Sequence, residues 1–182
     1  MCLKMDFGKF VIRFWIIFLL PCYNILEWII VGKGFTNASI ESVYIISLVL
    51  AAFTEEFIFR MWLFGYLWHN MQLTICHSML VTNAVFATYH LCNILSYASV
   101  TYGIIQSIVA FSFGMAMSAI YRERNNITIC ILAHFLVNVS SVLNVTTDIS
   151  TKYVLQCYQI IALCIISCVY LFYSKRSLKS VH

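Results

Sequence analysis

Glu55 and Glu56 stand side by side inside an apolar run that begins near Ser42 and continues to about Trp68, and Arg60 follows within the same run. The flanking residues are Ile, Leu, Val, Phe, Trp and Met, which places three ionisable groups at membrane depth. Each would cost roughly 2.5–3.5 kcal/mol at a helix centre if it faced lipid alone, so the fold must bring partners to them. Glu56 and Arg60 are four apart with the acid N-terminal to the base, the favoured order for an ion pair on one helix face. Glu55 is turned about 100° from Glu56, lies outside that pairing, and is the carboxylate placed for chemistry.

The rest of the composition agrees with a membrane setting. Hydrophobic residues make up 62% and charged residues 10%, with one proline, the profile of an integral membrane protein. A length of 182 suits a single helical domain, 1–182, with its motif-bearing core at 42–145. The apolar runs are long and lack the two-residue alternation of an outer-membrane barrel, so the expected fold class is all-α, a polytopic transmembrane bundle of about six helices. Eight cysteines form no Cys-x-x-Cys pair and fall mostly inside apolar runs, where they read as small hydrophobes. The net charge of +4 reflects Lys and Arg flanking the membrane, and no clustered basic face suggests a nucleic-acid partner.

Along the chain, an uncleaved first helix is expected at about 10–31, since the segment lacks a small-x-small cleavage site. The second, at about 42–68, would be about 40 Å long and should tilt across a ~30 Å hydrocarbon core. His69 to His77 is a polar break, and further helices are expected at about 78–95, 102–121, 127–145 and 153–173. In the fourth, Ala110, Gly114 and Ser118 form a small-residue stripe that lets another helix approach closely. With both termini cytoplasmic, Lys4, Lys9, Arg13, Arg122, Arg124, Lys175, Arg176 and Lys179 lie inside, and only Lys33 and Lys152 lie outside. That asymmetry favours an even number of spans.

Within the spans the strongly polar residues are led by Glu27, Glu55, Glu56, Arg60, Asn83, His90, Gln106, His134 and Asn138. Intramembrane ionisable groups usually face the bundle interior and mark function. Phe86 and His90 are four apart, presenting an aromatic wall and an imidazole on one turn, and His134 and Asn138 present two hydrogen-bonding groups on one stripe. A carboxylate and a histidine can polarise a water, while a second histidine and an amide meet the oxyanion of a tetrahedral intermediate. Those groups suffice for peptide-bond hydrolysis without a covalent nucleophile. Neither Gly-x-Ser-x-Gly nor His-Glu-x-x-His is present. Glu55, His90, His134 and Asn138 are expected to share one polar cavity, closed to lipid and open to the cytoplasm.

The order Glu55-Glu56-x-x-x-Arg60, Phe86-x-x-x-His90, His134-x-x-x-Asn138, each on its own apolar segment, resembles the CPBP family of intramembrane proteases. That family comprises CAAX prenyl endopeptidase type II, bacteriocin-processing and lysostaphin-resistance-A-like proteins. The resemblance implies an intramembrane endopeptidase in which Glu55 is the general base and His90 helps hold the attacking water. It implies that His134 and Asn138 line the oxyanion site and that Glu56 and Arg60 are a structural pair. It further implies a multi-pass protein of a bacterial cell membrane acting on a peptide or protein substrate, such as a prenylated protein, a bacteriocin or a leader peptide.

The cofactor stays open between none and a single zinc ion, for which Glu55, His90 and His134 would be the ligands; the reading leans to metal-free chemistry. Two other function classes compete. A non-catalytic immunity or scaffold protein could keep the same fold. A small ion-coupled transporter could also use buried Glu, His and Arg, although the sequence shows no inverted repeat or Gly/Pro-broken helix pair.

Overall fold

The structure, a computed structural model, describes residues 42–92, 100–124 and 126–143. The expected first and sixth helices lie outside the described residues. Among the described residues the secondary structure is entirely helical. Helix α1 spans Ser42–Glu56, α2 spans Ile75–Leu91, α3 spans Val100–Arg124 and α4 spans Ile127–Leu143. Residues 42–52 and 132–143 belong to one compact unit, and Phe53–Ile131 to a second.

The chain stays helical beyond α1, but its winding changes. Phe57–Phe64 and Tyr66–Asn70 are π-helical, with Gly65 between them. The expected helix at about 42–68 is therefore present in extent, while its second half bonds i→i+5 instead of i→i+4. π-Winding is uncommon and concentrates at functional sites; here it begins directly after the carboxylate pair. The helix ends at Asn70, and Gln72, two residues on, has a φ of 54° that puts a non-glycine residue in the left-handed region. Met71 N–H donates to Tyr66 O at 3.0 Å and Leu73 N–H to Leu67 O at 3.1 Å, so the turn satisfies carbonyls that the helix end leaves open.

Helix α2 starts earlier than the apolar pattern suggests because Thr74 caps it. Thr74 is extended, and its hydroxyl accepts from His77 N–H at 3.3 Å. Within the Phe53–Ile131 unit, α2 packs on α3 along the small-residue stripe. Ala110, Gly114 and Ser118 are all buried. Ser107 Oγ donates across the helices to Ala87 O at 2.6 Å, and Asn83 Nδ2 donates to Ser118 Oγ at 3.1 Å. At one end of this contact Phe64, Met79, Met115 and Ala119 form an apolar cluster against Trp68, Ile75, Phe111 and Tyr121.

The polarity of this unit is the reverse of a water-soluble protein. Glu56, Arg60, Ser78, Thr82, Asn83 and Ser118 are all 0% exposed. Phe57, Ile58, Met61, Trp62, Leu80 and Val85 are all exposed. Helix–helix contact in lipid depends on close approach of small residues and interhelical hydrogen bonds, with large apolar side chains left to face the acyl chains. Among the described residues one segment, Val100–Glu123, is long and apolar enough to cross a membrane by length and composition.

Candidate active site

The acidic pair sits where α1 passes into the π-wound stretch. Glu56 is fully buried, and its Oε2 lies 3.2 Å from Arg60 Nε. The two groups are in charge contact without the alignment of a hydrogen bond, and the change of winding falls between them. Glu55, one residue earlier, is half-buried. The expected contact of Glu56 with Arg60 is present.

Arg60 connects the acidic pair to α2. Its guanidinium lies over the Phe86 ring, with Cζ 4.4 Å from the ring centroid, a cation–π contact strengthened by burial. Phe86 also meets Phe59 edge-on at 4.8 Å between centroids and His90 edge-on at 4.4 Å. His90 is half-buried, and its Nδ1 stands 3.0 Å from Phe86 O. A carbonyl oxygen only accepts, so Nδ1 carries a proton, and in the neutral ring Nε2 is then the acceptor atom. A neutral imidazole in this tautomer can take a proton from water or hold water by its lone pair. Phe86 thus touches the cation that serves Glu56 and the imidazole of His90 at once.

His134 and Asn138 lie on α4, where four-residue spacing places them on one face. His134 is 5% exposed and Asn138 is half-buried. They belong to the unit of residues 42–52 and 132–143, whereas Glu55, Glu56, Arg60, Phe86 and His90 belong to the other. Among the described residues, no three His, Cys, Asp or Glu side chains gather closely enough to hold a metal ion.

Two residues matter more than their sequence context suggests. Asn83 lies three residues before Phe86 on the same face of α2, is fully buried, and engages α3 through Ser118. Gly114 of α3 lies against both Asn83 and Arg60. Asn83 stands out in the sequence as a strongly polar residue of an apolar helix, and Gly114 as one member of the small-residue stripe. Which side chains they meet is a cross-helix property that spacing does not reveal.

An all-helical unit that buries its charges and turns large apolar side chains outward has the polarity of a membrane-embedded protein. The chain belongs to the family of type II CAAX prenyl endopeptidase Rce1-like proteins, whose family model matches residues 37–140. The matched stretch holds all three motifs, from Glu55 to Asn138. This is a family of membrane-embedded proteases, so a peptide or protein is the class of substrate it implies. No curated protein and no solved structure matches the chain.

Proposed function

We propose that this protein is an intramembrane endopeptidase that hydrolyses a peptide bond near the membrane face of a membrane-associated peptide or protein. The observation that carries the reading is the contact series from buried Glu56, Arg60 and Phe86 to half-buried His90 inside the family-matched stretch. It ties the motif-bearing acidic segment to the motif-bearing imidazole. The family's description makes a prenylated peptide ending in a CAAX sequence the first substrate to test.

In the proposed reaction Glu55 takes a proton from a water held with His90 Nε2, and the water oxygen attacks the scissile carbonyl carbon. The oxyanion that forms is met by His134 and Asn138. When the intermediate collapses, the C–N bond breaks and the proton held by Glu55 passes to the leaving amine. Glu56 and Arg60 stay paired throughout, and Phe86 holds the His90 ring. The chain crosses the membrane six times with both termini cytoplasmic, as the distribution of Lys and Arg favours.

The test is hydrolysis of a farnesylated CAAX peptide by the purified full chain in lipid nanodiscs, read by mass spectrometry of the released tripeptide. Wild-type cleavage that Glu55→Gln lowers by about 10²–10⁴ supports the reading. A well-folded wild type that leaves this peptide and a library of membrane-tethered peptides uncut would overturn it in favour of a non-catalytic role.

A further inference from the structure

Arg60 is more elaborately held than an ion pair alone requires. Its Nε faces Glu56, yet Nη1 and Nη2 are buried with no hydrogen-bond partner among the described residues. Asn83 Oδ1 is buried in the same condition. Arg60 Nη2 and Asn83 Oδ1 both crowd the place where a side chain at Gly114 would begin. A Cβ added there would lie 2.9 Å from Arg60 Nη2 and 3.0 Å from Asn83 Cγ, and closer still to Asn83 Oδ1. These distances fall at or inside the closest contacts that real Cβ atoms show, so any side chain at position 114 would have to displace one of the two.

The orientation of the Asn83 amide follows from its other contacts. Nδ2 donates to Met79 O at 2.8 Å and to Ser118 Oγ at 3.1 Å, and approaches Met115 Sδ at 3.4 Å. The donor end is committed to α2's own backbone and to α3, which turns the acceptor end towards Gly114 and the guanidinium. The flipped amide would set its NH₂ against the donors of Arg60 and lose the bond to Met79 O, so chemistry selects the orientation given.

We infer that Asn83 and Gly114, both outside the three motifs, are positioning residues that seat the Arg60 guanidinium and, through Glu56, fix the acidic pair. Glu56 balances the charge at one edge of the guanidinium, Phe86 covers its face, and the Asn83 carbonyl dipole faces another edge across the space that Gly114 leaves open. The effect on catalysis rests on the proposed protease reading; the seat itself does not.

Asn83→Asp puts a carboxylate where the amide oxygen stands, so it should supply the counter-charge that Glu56→Gln removes. Four full-length proteins test this: wild type, Glu56→Gln, Asn83→Asp and the double variant, compared by thermal unfolding in detergent. Each single variant should melt at least about 4 °C below wild type. The double variant should melt above the better single or, where Glu56→Gln yields no folded protein, be recovered folded. A double variant as unstable as the two losses added, or unfolded along with Glu56→Gln, overturns the seat.

Gly114→Ala should lower kcat on the farnesylated peptide by roughly 10–10²-fold with KM little changed, because it displaces groups behind the site by a fraction of an ångström or more. Adding Asn83→Ala, which clears the overlap, should recover part of that loss. An unchanged kcat in Gly114→Ala, or no recovery in the pair, refutes the positioning role. If wild type cuts nothing, the protease reading fails by itself, and the melting comparison still decides whether Asn83 faces Arg60.

Discussion

Glu55 and Glu56 are adjacent and chemically identical, and replacing each by glutamine should produce opposite failures. Glu56 and Arg60 are both 0% exposed and 3.2 Å apart. At that separation and an effective dielectric constant of about 20, Coulomb's law gives roughly 5 kcal/mol of attraction. Glu56→Gln removes the attraction and leaves the guanidinium's desolvation uncompensated, the situation for which losses of about 3–5 kcal/mol are typical. Set against a total stability on the order of 5–15 kcal/mol, that is a large fraction. The expected result is a sharply lower melting temperature in detergent and a poor yield of monodisperse protein. Glu55 is half-buried and not part of that pair. Glu55→Gln preserves shape, so its melting temperature should stay close to wild type while peptide hydrolysis falls by about 10²–10⁴. Melting curves and single-turnover cleavage on the same preparations separate the two cases. Wild-type stability in Glu56→Gln, with cleavage lost only there, would refute the assignment and exchange the roles of the two carboxylates.

Other expectations follow from the same contacts. Phe86→Ala removes the ring beneath Arg60 and beside His90, and should cost about 3–5 kcal/mol of stability together with activity; Phe86→Leu should retain more of both, as melting and cleavage assays would show. Thr74→Ala removes the cap of α2 and should lower stability by about 1 kcal/mol without changing the cleavage rate, measured by the same pair of assays. Single cysteines at Lys33 and Arg122, on a background without reactive native thiols, should label from opposite sides of the membrane; labelling from one side would sink the six-span topology. In the metal-free form of the proposed reaction, hydrolysis persists after exhaustive chelation, and activity lost to chelator and regained with zinc would instead establish a metal-dependent site.

The helical class, the membrane setting and the contact of Glu56 with Arg60 were legible in the sequence because they depend on local properties. Long apolar runs with so few charges leave helices as the elements that satisfy the backbone in lipid, and a four-residue interval puts Glu56 and Arg60 in reach of each other in nearly any helical winding. The order of the motifs was enough to indicate the family that the match over residues 37–140 establishes. Helix ends were less legible: α2 begins at Ile75 because one hydroxyl, that of Thr74, captures a backbone N–H that hydropathy does not register. The π-winding after Glu56 was not legible either, since an i→i+5 ladder uses the same residue types as an α-helix and differs only in how the turn closes. What the tertiary structure alone decided is which groups complete Arg60. Asn83 and Gly114 lie on different helices, and their convergence on one guanidinium is set by the distance between helix backbones. That distance is a property of packed side chains far apart in the chain, and no local spacing encodes it.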